Sequence, residues 1–270
     1  MKKSLLELYR QITRARVSTV GALIMLASGT AALAADTTQT NLPPPPPPKW
    51  DSAVTLGATL TRGNSKTFMA AGIANTKRTW TNNEAILGTS AGYGESTATV
   101  KSNSVDTTTE SYVRGYGQWN HLFTPKFYGG FRGTGEHDDI AALTYRFTVS
   151  PLAGYYFIKE AKGSLNAEFG PSYTWQKFFS QPEDDYASLR LAERGERRFA
   201  TGAKIWESVE YLPKVEDFSN YIVNAEAGVS APINKALSVS LIMQDTYQSV
   251  PAIGKVSNDF KLIAGLTYRF

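Results

Sequence analysis

From Trp50 to the C-terminus, apolar and polar side chains alternate with a period of two. Successive side chains of an extended chain point to opposite faces, so this period marks strands with one apolar and one polar face. The clearest stretch is 164–176. Leu165, Ala167, Phe169, Pro171, Tyr173 and Trp175 alternate there with Ser164, Asn166, Glu168, Gly170, Ser172, Thr174 and Gln176. The C-terminus repeats the pattern, with Phe260, Leu262, Ala264, Leu266, Tyr268 and Phe270 set against Asp259, Lys261, Ile263, Gly265, Thr267 and Arg269. The same phase runs through 50–61, 145–157, 221–230 and 237–246, and weaker strands are expected near 67–79, 84–95, 107–121, 127–136, 186–194 and 198–211. Glu207 stands out of phase among apolar neighbours.

The pattern predicts about twelve strands of roughly 9–14 residues, long enough to cross a bilayer at the tilt of a membrane barrel. Short turns are expected near Asn82-Asn83, Thr124-Pro125-Lys126, Glu160 to Gly163, Gly195 and Asn234-Lys235. Longer polar connections are expected near 96–106, 137–143, 177–186, 212–219 and 248–257, with a short link at Arg62 to Lys66 breaking the rule. Short turns on one rim and longer loops on the other predict an all-β fold, a transmembrane antiparallel up-and-down β-barrel over residues 50–270. A soluble barrel or sandwich is the competing fold. Against it, the apolar sets end in aromatic rings such as Trp50, Tyr93, Trp119, Tyr145, Tyr173 and Tyr268, which suit a membrane interface. The opposite sets are polar and charged, which does not suit a dry core.

Residues 1–49 carry a different pattern. A basic segment at 1–16 precedes an uncharged apolar run at 17–34 that ends in Ala32-Leu33-Ala34. This reads as a signal peptide over 1–34, cleaved by a peptidase that accepts only small side chains; a retained anchor is the alternative. Residues 35–49 contain six prolines at 43–48 and form a proline-rich periplasmic linker, stiff as a polyproline II rod. The linker is read as a spacer rather than a ligand, since no second proline segment accompanies it.

Charge changes meaning once the leader is set aside. Five of the 28 basic residues (Lys2, Lys3, Arg10, Arg14 and Arg16) and one of the 24 acidic residues (Glu7) lie in the first 34 positions, so the remainder is neutral. The overall charge of +4 therefore does not point to nucleic acid. With no cysteine, disulfide scaffolds, thiolate metal sites and cysteine nucleophiles are excluded. No phosphate-cradling glycine loop, G-x-S-x-G elbow or His-x-x-x-His pair occurs, so no cofactor, metal or catalytic site is expected.

Candidate chemistry is confined to the polar face. Its charged members are Asp51, Arg114, Arg132, Arg146, Glu168, Arg190, Glu226, Lys261 and Arg269. A barrel of about twelve strands has a backbone diameter of roughly 24 Å, and inward side chains leave on the order of 10 Å or less. Arg and Glu across such a space either pair and brace the wall or line a narrow charged path, and five arginines among the nine would bias a path toward anions. A structural or narrow-pore barrel and a small-solute porin both remain open. A third reading, an outer-membrane hydrolase, rests on His137-Asp138-Asp139, although adjacent residues in a strand point apart. Glu183-Asp184-Asp185 lacks the spacing of a calcium loop and reads as a solvated loop. The basic run Arg194-Gly195-Glu196-Arg197-Arg198 falls on the short-turn rim. The expected partners are outer-membrane lipid and lipopolysaccharide, and the barrel insertion machinery through the Phe270 strand.

Short patterns scattered over 50–270 carry a resemblance. They are Trp50-x3-Val54-x2-Gly57 leading into Thr61-Arg62-Gly63-Asn64-Ser65, then Tyr93-Gly94-Glu95, Tyr145-Arg146, Gly154-Tyr155, Pro251-x2-Gly254 with Asp259, and the closing Tyr268-Arg269-Phe270. The chain resembles the salt-induced outer-membrane protein family, a Gram-negative domain of unknown function. Arg62 replaces the small or hydroxyl residue usual before Gly-Asn. The resemblance implies an outer-membrane barrel without known catalytic residues. Turn chemistry accounts for Gly63-Asn64, since both tolerate the positive φ of a tight hairpin.

Overall fold

The computed structural model describes residues 50–61, 65–100 and 103–270. The leader, the proline linker and the Gly63-Asn64 turn lie outside them. Among the described residues, twelve strands form one closed antiparallel barrel in sequence order. They are β1 (Trp50–Thr61), β2 (Ser65–Thr79), β3 (Asn83–Val100), β4 (Asn103–Leu122), β5 (Phe127–Asp138), β6 (Leu143–Glu160), β7 (Gly163–Phe178), β8 (Glu183–Arg198), β9 (Lys204–Pro213), β10 (Tyr221–Pro232), β11 (Leu237–Gln248) and β12 (Asn258–Arg269). β12 returns to β1 and closes the sheet. Closure gives each strand two neighbours, which satisfies backbone polar groups that hydrocarbon could not.

The burial order is that of a membrane barrel, inverted with respect to a soluble one. Along β7 from Asn166 to Trp175 the buried positions are Asn166, Glu168, Gly170, Ser172 and Thr174, while Phe169, Pro171, Tyr173 and Trp175 are exposed. Leu56 and Leu262 are 66% and 56% exposed, whereas Thr174 and Arg190 are 2% and 4% exposed. Phe169, Leu262 and Leu266 stand on the outer wall and do not pack in an interior. Aromatic pairs mark the ends of this apolar band. Tyr173 and Trp175 meet edge to face at 4.8 Å, and Tyr211, Tyr221 and Tyr247 form a ladder at 5.4 and 5.8 Å. At the other end Arg78 lies between Trp50 and Trp80, and Tyr268 stacks on Phe270.

Inside, large rings are accommodated by glycines opposite them. Tyr112, Tyr116, Tyr128 and Trp206 face Gly92, Gly88, Gly154 and Gly228 in register. Each ring lies flat over its glycine, where a Cβ would have no room. The rings bridge neighbouring strands and hold the wall tightly bent.

Two expectations about connections are corrected. Residues 96–106 and 177–186 are mostly strand, and 137–143 is strand at both ends, so the true connections shrink to the short segments after Val100, Asp138 and Phe178. Ser, Thr and Val at 96–109 keep β-branched and hydroxyl character after the hydrophobic alternation has ended, so the β3–β4 ladder continues to Val100↔Asn103. The turn expected at Gly195 falls at residues 199–203, where Gly202 has φ +83°. Gly195 is mid-strand, and its bare backbone leaves space for the Glu207 side chain on the outer wall. The connections at 214–220 and 249–257 are as long as expected. In the first, Asp217 accepts from the Ser219 hydroxyl and backbone N–H, which holds its carboxyl below the usual range.

Candidate functional site

The inward polar face forms three tiers of charge. In the middle tier, Arg190 on β8 donates to Glu168 on β7 at 2.8 Å and to Glu210 on β9 at 2.5 Å. Arg132 on β5 reaches Glu210 at 3.7 Å and lies 4.2 Å from the Tyr116 ring centroid. Glu168 also accepts from Gln118 at 2.6 Å and from Tyr128 at 2.9 Å. Glu226 on β10 accepts from Trp206 at 2.8 Å and from Gln244 at 2.9 Å. Arg190 and Glu168 are buried and Arg132, Glu210 and Glu226 are partly so, and each is matched by a charged or hydrogen-bonding partner, the condition under which such burial is tolerated.

The tier toward the longer connections spans the lumen. Arg146 on β6 pairs with Glu136 at 2.6 Å and donates across to Gln248 on β11 at 2.8 Å. Arg114 on β4 lies 3.4 Å from Glu136 and 3.5 Å from Asp138, and donates to Thr246 on β11 at 3.2 Å. Lys261 on β12 reaches Glu110 on β4 at 3.1 Å, Asp259 at 3.2 Å and Asp138 at 3.7 Å. β4 to β6 and β11 to β12 are well separated around the barrel, so these bonds cross its interior. Above them, Ala252 of the 249–257 connection packs on Leu143 and Phe178 from the opposite side. The connection therefore lies over the mouth, with Ile253 and Val256 at its exposed tip.

The tier at the short-turn rim is wetter. Asp51 on β1 meets Arg269 at 3.2 Å and Arg198 on β8 at 3.6 Å, all roughly half exposed. Below them Glu84, almost fully buried, takes Lys77 at 3.6 Å, Lys159 at 3.3 Å and the Tyr156 hydroxyl at 2.7 Å. Leu122, Tyr128, Leu152 and Tyr156 fill the adjoining space as an apolar plug.

Arg114, Arg132, Arg146, Glu168, Arg190, Glu226 and Lys261 thus belong to the two inner tiers, and Arg269 to the rim. Glu84, Glu110, Glu136, Asp138 and Glu210 complete the networks and were missed in the sequence. Strand parity could have found them. Glu136 is four residues from Arg132, Glu110 four from Arg114, and Asp138 two from Glu136, all on one face.

The other wall is plainer. Thr55, Thr267, Ser240 and Ser230 form a hydroxyl chain at 2.7, 2.7 and 3.0 Å. Ile73, Ile242 and Ile263 cluster beside Trp206.

The remaining candidates resolve individually. Glu183, Asp184 and Asp185 open β8 and do not converge. Glu183 pairs with Lys177, Asp184 with Lys214, and Asp185 accepts from Tyr173. His137 Nε2 lies 3.2 Å from Asp139, which also accepts from Ser111, while Asp138 turns inward. Among the described residues no group of three His, Asp or Glu side chains is arranged to hold a metal ion.

A closed strand wall, an apolar outer belt and a lumen filled with paired charge define a membrane-spanning β-barrel of the outer-membrane type. The chain belongs to the family described as "Protein of unknown function, DUF481", whose model matches residues 54–270. No curated protein matches the sequence. Among solved structures, the chain is similar to an outer-membrane channel from Pseudomonas putida F1, with 8% identity, coverage of 87% of this chain and 100% of that one, and a TM-score of 0.46. It is similar to the NanC porin at 7% identity, covering 81% and 96%, with a TM-score of 0.45. The translocator domain of the autotransporter NalP from Neisseria meningitidis is 12% identical, with coverage of 82% and 87% and a TM-score of 0.40.

Proposed function

We propose that the protein is an outer-membrane barrel whose lumen is closed along its axis at rest, a structural or narrow-pore element of the Gram-negative envelope rather than an open porin. The observation that supports this most is the set of bonds across the lumen, Arg146 to Gln248 and Lys261 to Glu110, under the lid anchored by Ala252. The arginines that would bias a path toward anions are matched by Glu136, Asp138, Glu168 and Glu210, which leaves little free positive field.

On this reading, residues 1–34 direct export and 35–49 are a periplasmic spacer. The short turns face the periplasm, the Phe270 strand addresses the insertion machinery, and the outer wall meets lipid and lipopolysaccharide. Neither catalysis nor nucleic-acid binding is part of it. At the rim, Asp139 stands between Ser111 and His137, whereas a nucleophile relay needs the histidine in the middle.

Planar-bilayer recording tests the proposal. Wild type is expected to be silent or to pass only small, low-conductance currents. Arg146→Ala combined with Ala252→Asp is expected to open steady channels. A large anion-selective conductance from wild type would overturn the closed-lumen reading in favour of the porin. Peptidase activity lost in His137→Ala would instead establish the hydrolase.

A further inference from the structure

The seam between β1 and β12 is the barrel's shortest ladder. Pairing runs from Ala53↔Arg269 to Gly57↔Gly265 and stops there. Beyond that point β1 stays paired to β2 as far as Thr61, and β12 stays paired to β11 as far as Asn258. Each therefore presents a free edge toward the other. The last pair is two glycines pressed together, since a Cβ at Gly57 would stand 2.8 Å from the Ala264 carbonyl oxygen.

A cavity of about 120 Å³ occupies the place where the strands part. Its lining comes from both faces of the wall. Ala58, Ala70 and Ala264 belong to the outer apolar face, and Ala71, Tyr112 and Ile263 to the inner one. The gap thus joins the hydrocarbon side to the lumen, where Ile263 continues into the cluster with Ile73 and Ile242. Tyr112 lines the lumenal end. It is 6% exposed, and its hydroxyl has no hydrogen-bond partner. Buried hydroxyls are rarely left so, because desolvation then goes uncompensated. The charges around it are already matched: Lys261 sits 3.7 Å from the Tyr112 ring centroid and 3.1 Å from Glu110. The free group in the cavity is therefore uncharged.

We propose that this gap is a lateral portal that takes a single-chain amphiphile with an uncharged hydrogen-bonding head, of which a long-chain alcohol is the simplest. The head bonds the Tyr112 hydroxyl, and the chain leaves between Ala58 and Ala264 into the membrane. A carboxylate head would bring a second anion beside Glu110, which already occupies Lys261, and is disfavoured.

The chain has no cysteine, so Ala58→Cys with Ala264→Cys provides a unique thiol pair across the gap. In vesicles carrying the full barrel, a nitroxide-labelled long-chain alcohol reports an immobilised population by its spectrum. The reduced pair should retain a population beyond that of the lipid annulus, and oxidation should abolish it. Ala264→Trp should abolish it without oxidation. Tyr112→Phe should abolish it while leaving the barrel heat-modifiable on a gel, and a nitroxide-labelled fatty acid, ionised, should not show it. An equal population in the oxidised and reduced forms, or one that survives Tyr112→Phe, would overturn the portal. Conduction along the barrel axis would leave these readouts unchanged, so they stand apart from the closed-lumen test.

Discussion

The two walls of the barrel are built differently. Most strands from β3 to β8 are long, with 18 residues in β3, 20 in β4, 18 in β6 and 16 each in β7 and β8. Their inner faces carry most of the ion-pair network and the Leu122–Tyr156 plug. The wall from β9 through β12 to β1 has strands of 10 to 12 residues, a hydroxyl chain, an isoleucine cluster and the incomplete seam. One wall is braced by charge that must stay paired, and the other by small groups that can shift at little cost. The contrast bears on where the gap lies: it opens where alanines and glycines make the wall thin, and meets the charged network only at its lumenal end, at Glu110 and Lys261.

The contrast can be broken in order of size. Arg190→Ala leaves Glu168 and Glu210 buried without their shared cation and should cost about 3–5 kcal/mol in urea unfolding from vesicles. A loss below about 1 kcal/mol would mean that lumenal water screens the network and that the dense wall is not braced by charge. Phe169→Arg, on the outer side of the same wall, should cost about 2–4 kcal/mol, because the charge meets hydrocarbon. If the protein tolerates it, this face does not lie in the membrane. Tyr128→Phe removes the donor to Glu168 and the acceptor for Asn166. It should cost about 1–3 kcal/mol, read as a lower heat-modification temperature. Thr267→Val, in the hydroxyl chain of the plain wall, should cost about 0.5–1.5 kcal/mol. A larger loss there than at Tyr128 would reverse the ranking of the walls.

Much of this architecture was legible from alternation alone. The strand number, the outward apolar set and the inward Arg and Glu positions follow from a period of two, because one residue of slip would turn every side chain to the other face. Loop lengths were misread because a strand that leaves the membrane loses its hydrophobic alternation without losing its ladder, as at 96–106. Gly195 was misread because a glycine can mark a turn or a site of close approach, and only the position of Glu207 decides between them. The pairing of the arginines was hidden for a different reason. Glu136 is the cross-strand neighbour of Arg146 in the β5–β6 hairpin, but the bonds across the lumen join strands far apart in sequence, and only closure of the barrel brings Gln248 within reach of Arg146 and Glu110 within reach of Lys261. The seam left no local signal, since its incompleteness lies in the absence of pairing between the first strand and the last.

The β3–β4 hairpin has a consequence for how the molecule meets its surroundings. Tyr93, an outward ring at the upper edge of the belt, is followed by the seven residues Gly94–Val100. At about 3.3 Å per residue they carry the ladder roughly 20 Å past that ring. The Gly94/Glu95 register shift gives this projecting blade its bend. A two-stranded blade of that length carries its ladder clear of the apolar belt, so its backbone hydrogen bonds are made in water, where strand pairing gains least from exclusion of solvent.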